Sequence, residues 1–222
     1  TDLGIAGAIN KAVEAGIPTV VYDSDVPSKR HCFLGSDWYT MGYKQGEAVG
    51  RLSNGRKGRV AAVGILGMQN QEDGFRGLQD ALKKFPNLTF IDKFETHNTI
   101  EETARVTTDL INTYPDLVAV CGFTSETGPG LGLGIKEMNR AGKVFGTNVD
   151  ASAVLLKLEG VIQYLVDQKR ETFVWYGAQF LYDKVHNVNA FPNRYLKAGV
   201  DALPYEVNTG IVEITPELLK KL

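Results

Sequence analysis

The chain has 222 residues, 43% of them hydrophobic and 23% charged, with a formal net charge of −2. It can bury a sizeable core, as one large domain or as two lobes of roughly 100–120 residues each. The charge balance gives no reason to expect nucleic acid, whose binders need a concentrated basic face, and no apolar run approaches the ~18–20 residues of a membrane span.

Helical periodicity over 3–15 ends at Gly16, and Pro18 opens an apolar run, PTVVYDSD, that reads as a buried strand. A short strand at 31–37 leads into a helix over 38–52. Strand and helix then alternate: strand 59–66, helix 71–84, strand 88–95, helix 100–113, strand 117–123, helix 130–140. Strand 144–147, helix 152–159, strand 161–166 and a long helix over 171–187 continue the pattern. Beyond Val188 a polar loop through Pro192 and Pro204 marks a crossing segment, followed by one strand over 206–214 and a closing helix over 216–222. Continuous apolar strands, each followed by a helix, predict an α/β fold with parallel sheets covered on both faces and right-handed crossovers. The chain opens in Thr1-Asp2 and an amphipathic helix, so no signal peptide is read in it; a secreted protein after processing has the same appearance.

Ligands of open parallel sheets bind beyond the carboxyl ends of the strands. That rule selects Asp23, Ser24 and Asp25; Ser36 and Asp37; Gln69 to Gln71; Thr96 to Asn98; Thr124 to Thr127; Asn148 and Asp150; and Asp167 with Gln168. The set is rich in groups that hydrogen-bond to hydroxyls. The motif GPGLGLG at 128–134 follows a strand and opens a helix, but its third glycine misses the dinucleotide spacing and no lysine completes a phosphate loop. Its small residues are expected to let the helix pack closely on the sheet. His31, His97 and His186 stand apart, which predicts no metal site. No nucleophile elbow is present. The Asp23-Ser24-Asp25 triplet either binds a cation or, more often for such triplets, ends a strand and accepts hydrogen bonds. Trp175, Tyr176, Phe180 and Tyr182 read as core and surface of one helix, and Cys32 and Cys121 as two buried free thiols that leave the redox compartment open.

The segment IPTVVYDSDVPSKRHCFLGSDWYTMGYKQGE (17–47) resembles the ribose-binding-protein branch of the type-I periplasmic binding proteins. There an Asp at a strand end is followed by a turn, a strand and a hinge motif opening a helix. GMQNQEDGFRG (67–77), NTYPDLVAVCGF (112–123), KVFGTNVD (143–150), EGVIQYLVDQ (159–168) and VNTGIVEIT (207–215) follow in the family's order. The resemblance implies two Rossmann-like lobes, residues 1–36 with 169–209 and residues 37–168 with 210–222, joined by three crossovers. It implies roughly 70 further family residues, two β/α units, before Thr1, leaving the first lobe partial.

Carried over by position, the resemblance gives ligand contacts at Asp23, Gln71, Asn98, Thr124, Asn148 and Gln168, with Asp37 at the hinge. Ser24 and Gly74 stand where the family carries Arg, Gln71 being the nearest polar substitute for the second. Thr124 replaces Asn, Asn148 replaces Asp, and Trp38 follows Asp37 where Asn is usual. These departures remove charge, and charge-assisted bonds are worth ~1.5–3 kcal/mol against ~1 for neutral ones. The implied function is capture of a monosaccharide or related polyol by lobe closure, with no chemistry, no cofactor and no metal. The implied partner is the permease of an ABC importer or a membrane sensor, for a periplasmic or extracytoplasmic monomer. Two alternatives stay open: the effector domain of a lactose-repressor-type regulator, which shares the fold, and an enzyme on a doubly wound sheet, for which no constellation assembles.

Overall fold

The computed structural model describes residues 4–186, 188 and 192–221. Leu3, Asn187 and Leu222, where the sequence begins or ends helices, and residues 189–191 of the polar loop lie outside the described residues. The chain divides into two units, Thr1–Asp37 with Lys169–Gly210 and Trp38–Gln168 with Ile211–Leu222, and so passes from one to the other three times.

The first unit contains α1 (Gly4–Glu14), β1 (Val20–Tyr22), β2 (Cys32–Gly35), and, after the second unit has been traversed, a long helix, a short helix and one strand. α1 stops where Gly16 adopts φ +79° and the Ile17 N–H returns to the Ala12 carbonyl. β1 and β2 pair in parallel with Val20 opposite Cys32, and a third parallel strand pairs with the other side of β2 at Glu206–Asn208. Cys32, Leu34, Phe173 and Leu203 form the core, flanked by Val20, Phe180 and Val207. The long helix (Arg170–His186) sits close on this sheet through Phe173 and Gly177, while Val174, Trp175, Tyr182 and Val185 remain exposed.

In the second unit, α2 (Trp38–Ser53), β3 (Gly58–Gly64), α3 (Gln69–Leu82), β4 (Leu88–Glu95), α4 (Ile100–Thr113), β5 (Leu117–Gly122) and α5 (Thr127–Glu137) alternate. β6 (Phe145–Asn148), a 3-10 turn (Ala151–Ala153), α6 (Val154–Leu158) and β7 (Ile162–Gln168) complete the run. The long helix of the first unit is then α7, followed by α8 (Asn193–Lys197) and β8 (Glu206–Asn208); β9 (Ile211–Glu213) and α9 (Pro216–Leu219) return to the second unit. Its sheet has the order β4-β3-β5-β6-β7-β9. The first five strands are parallel and β9 runs antiparallel to β7.

The apolar strands bury both faces, and the two-residue period sorts their side chains. Val60 and Ala62 pack in one cluster with Met41 and Val49 of α2 and Phe75, Leu78 and Leu82 of α3. Ala61 and Val63 pack in another with Val106 and Leu110 of α4 and Leu131 and Ile135 of α5. α4 starts at a Thr99 cap whose Oγ1 accepts from the Glu102 N–H at 3.2 Å, with Glu101 and Glu102 at the positive end of the helix dipole.

The structure corrects three local expectations. The strand expected over 206–214 is two strands in two sheets, because Gly210 turns at φ +77° and accepts no continuation: its N–H is held by Asn208 Oδ1 at 2.8 Å. Residues 193–197, expected as loop, form α8. The glycines of GPGLGLG serve a helix contact more than a sheet contact: a Cβ on Gly130 would meet Thr103 Cβ of α4 at 2.4 Å.

Candidate functional site

The parallel strands of the second unit align their carboxyl ends along one edge of the sheet. Asn148, the last residue of β6, is fully buried there. Its Nδ2 donates to the Thr124 carbonyl at 3.0 Å, and its Oδ1 lies 2.9 Å from Thr127 Oγ1. Thr127 accepts from the Thr124 N–H at 2.9 Å and has one proton to give, shared between Asn148 Oδ1 and the Thr124 carbonyl at 2.8 Å. Thr124 Oγ1 accepts from the Thr127 N–H at 3.2 Å, which starts α5 three residues earlier than its glycines indicate. Thr124 and Asn148, two of the candidate contacts, are thus brought together by a third residue that the sequence named only as part of a loop. Thr124 is half-buried, whereas Asn148 is fully buried.

The loop after β3 is held differently. Its three consecutive N–H groups are each taken by a side chain: Ile65 by Gln71 Oε1 at 2.7 Å, Leu66 by Glu95 Oε2 at 2.9 Å, and Gly67 by Glu72 Oε1 at 3.0 Å. Gln71, a candidate contact, is only 3% exposed and its carboxamide oxygen is committed to this loop. Glu95 Oε1 also accepts from the N–H groups of Thr96 at 2.9 Å and His97 at 2.7 Å. That carboxylate thereby fixes a turn in which His97 (φ +47°) and Asn98 (φ +54°) both take the left-handed conformation, leaving both side chains exposed. Burial raises the Glu95 pKa, but the three amides and His97 more than offset it and hold the carboxyl below its ordinary value. Glu72 follows the same pattern: burial raises it, and Lys93 with the Gly67 N–H bring it below the ordinary range.

Gly74 cannot stand in for a ligand-facing arginine. It lies in the α2–α3 contact, where a Cβ on Gly42 would sit 1.8 Å from the Gly74 carbonyl oxygen and a Cβ on Gly74 would meet the Phe123 ring at 2.6 Å. Deeper in the same unit, Gln45 of α2 is fully buried, donates to the Gly122 carbonyl at 3.3 Å and accepts from Thr147 Oγ1. Burial pushes the neighbouring Cys121 thiol up to about 12, with Thr147 opposing, so it is an unreactive core group.

Gln168, the last residue of β7, is buried and receives register from Ile211 of β9, with its N–H held by Asp167 Oδ1 at 2.8 Å. It is the final residue of the second unit before the chain crosses.

In the first unit, Asp23 follows β1 with φ +68°, half-buried, its N–H donating to the Leu34 carbonyl at 2.9 Å. Asp25 is occupied: its oxygens accept from Arg30 Nε at 2.6 Å and Nη2 at 2.5 Å, and Oδ1 also accepts from the Val26 N–H. Arg30 Nη1 donates to the Tyr205 carbonyl at 2.8 Å, and the guanidinium stacks 4.3 Å from the Tyr205 ring. Burial lowers the Arg30 pKa, but the Asp25 carboxylate outweighs it and holds the guanidinium charged. The triplet therefore ends a strand with an internal ion pair, and Arg30 is a residue the sequence reading missed. Asp37, the last residue before the first crossing, is exposed, and the Ser36 hydroxyl beside it donates to the Gly210 carbonyl at 3.0 Å.

Among the described residues, no group of three or more His, Cys, Asp or Glu side chains converges as a metal site, and no helix is long and apolar enough to cross a membrane.

A family profile described as periplasmic binding protein domain matches residues 3–187. No curated protein sequence matches the chain. Among solved structures, a sugar ABC transporter sugar-binding protein from Bacillus halodurans is 27% identical, with a TM-score of 0.84 over 98% of this chain and 75% of that one. An arabinose-binding protein from Geobacillus stearothermophilus is 25% identical, with a TM-score of 0.82 over 98% of this chain and 74% of that one. A periplasmic solute-binding protein from Actinobacillus succinogenes with bound D-allose is 20% identical, with a TM-score of 0.85 over 99% and 77%.

Proposed function

The chain belongs to the periplasmic binding protein domain family and has its type-I fold, and from that premise we propose that it captures a monosaccharide or related polyol and releases it unchanged. The two lobes of the proposal correspond to the two units, close on the sugar, and present it to the permease of an ABC importer outside the cytoplasm. Closure is favoured because a sugar held by both lobes binds the closed state better than the open one. The three passages of the chain, at 37–38, 168–169 and 210–211, serve as the hinge, with Asp37 at the first.

The observation that carries the reading is the chemistry of the second unit's carboxyl edge, considered with the family. The loops 65–68, 96–99 and 123–126 contain no lysine or arginine, and the second and third offer the hydroxyl and amide groups of Thr96, Asn98, Thr99, Thr124 and Ser125. We assign direct contact to Asp23, Asn98, Thr124 and Gln168. Gln71 and Asn148, buried with their side-chain oxygens already engaged, act from behind. Neutral hydrogen bonds at ~1 kcal/mol each reach micromolar affinity, about 8 kcal/mol, only when several converge in a preorganised cleft.

The test is a thermal-shift and calorimetric screen of pentoses, hexoses and polyols. A sugar at 100 times its Kd adds ~2.7 kcal/mol of stability. Asp23→Ala and Gln168→Ala should each remove most of that gain. A protein that no sugar stabilises would overturn the reading.

A further inference from the structure

Glu95 occupies an unusual position for an acidic residue. It ends β4, next to β3 in the sheet, and its carboxylate accepts from three main-chain N–H groups in two different loops: Leu66 after β3, and Thr96 and His97 after β4. Successive N–H groups turned toward one point form a concavity that ordinarily holds an anion, and here the protein supplies its own. Two further bonds sew the same loops together. The Thr96 N–H and hydroxyl both reach the Gly64 carbonyl, at 3.0 and 3.2 Å. Among the described residues, the basic side chain within ion-pair reach of it is exposed His97, whose Nδ1 is 3.8 Å away. Glu72, by contrast, is paired with Lys93.

A carboxylate held by amides alone fixes backbone geometry without adding bulk at the surface. What it fixes is the pair of left-handed residues His97 and Asn98. His and Asn enter that region more readily than most non-glycine residues, and the Thr99 N–H closes the turn on the Thr96 carbonyl at 3.0 Å; the Glu95 carboxylate adds a bond to the first of the two, at the His97 N–H. We propose that Glu95 is a positioning residue for ligand binding: by holding both loops through Leu66, Thr96 and His97 it presents Asn98 at the carboxyl edge of the sheet and thereby sets affinity without touching the ligand. This rests on the reading of the chain as a sugar-binding protein.

The test compares the wild-type chain with Glu95→Gln and Glu95→Ala, measuring sugar affinity by calorimetry and amide exchange by NMR in the absence of ligand. A carboxamide keeps one acceptor oxygen but loses the charge, and bonds to charged groups exceed neutral ones by enough to predict ~10-fold weaker binding in Glu95→Gln. Glu95→Ala, which frees the Leu66 and His97 N–H groups and leaves the Thr96 N–H only its bond to the Gly64 carbonyl, should bind still more weakly. Acetate at tens of millimolar should restore part of the affinity in Glu95→Ala and change nothing in the wild type, a rescue that general destabilisation does not produce. Exchange should accelerate at Leu66 and His97 above the increase elsewhere, and less at Thr96, whose N–H keeps the Gly64 carbonyl. Unchanged affinity in folded Glu95→Gln and Glu95→Ala would overturn the proposal. So would affinity loss that merely follows thermal stability and is indifferent to acetate. If Glu95→Ala does not fold, the Glu95→Gln affinity and exchange decide alone. If the wild type binds no sugar, the functional reading falls, and unchanged exchange at Leu66 and His97 in Glu95→Gln would separately remove the loop-fixing role.

Discussion

The loop after β1 in the first unit and the loops after β3 and β4 in the second are fastened by different physics. The first is clamped by one partly buried ion pair: Arg30 engages both Asp25 carboxylate oxygens and also reaches the Tyr205 backbone and ring. The second is fastened by side chains that accept from the main chain, Gln71, Glu95 and Glu72 each taking one N–H of a three-residue run. An ion pair concentrates the restraint in two residues and fails abruptly when one is removed. Distributed acceptors fail one at a time. The cores follow the same contrast. The second unit sandwiches six strands between two apolar clusters, whereas the first covers three strands with a cluster of four buried residues and leaves much of the α7 apolar surface in solvent.

The largest expected effect breaks the comparison at its core. Phe75→Ala should cost about 3–5 kcal/mol by urea unfolding, since the ring is buried and packs edge-on against Phe123 at 4.6 Å. Trp175→Ser on α7, 64% exposed, should stay within ~0.5 kcal/mol of wild type. Equal losses would mean that the two units do not differ in the way described.

Next comes the clamp. Arg30→Ala should cost about 3 kcal/mol, the low end for breaking a buried pair, because Asp25 keeps 34% side-chain exposure while Arg30 has 2%. Faster amide exchange in β1 and β2 would locate the loss in the first unit. Thr127→Val should cost about 1–2 kcal/mol by leaving Asn148 Oδ1 without its donor, with Thr127→Ser close to neutral.

The smallest effect is on pH. Glu72 and Glu95 are held below their ordinary 4.5, so near and below that pH the unfolded chain binds more protons than the folded one. Their contribution is fully present above about 4.5 and is lost as the pH falls through the folded values. The urea midpoint should therefore drop between pH 5 and about pH 3, and Glu95→Gln should drop less.

Much of this architecture was legible because the strands are continuous and the turns are marked. The strand over 88–95 and the helix over 100–113 lie where the hydrophobic periodicity put them. The division of 206–214 was not legible: Val207 and Ile211-Val212 flank Gly210 in what reads as one strand, and only the partner strands show that each half belongs to a different sheet. At the candidate site, sequence placed the polar residues at strand ends but could not say where their side chains turn. Gln71 and Asn148 satisfy backbone and neighbour groups inside the protein, a demand created by loops distant in sequence. Glu95 was read as the end of a strand, because nothing local marks the three amides it gathers.

The most direct measurement follows backbone amide shifts while a sugar that stabilises the chain is titrated in. The account predicts shifts at Asp23, Asn98, Thr124 and Gln168 with a single dissociation constant. Shifts confined to the exposed face of α7 or the α6–α9 surface, with those four unmoved at saturation, would contradict it.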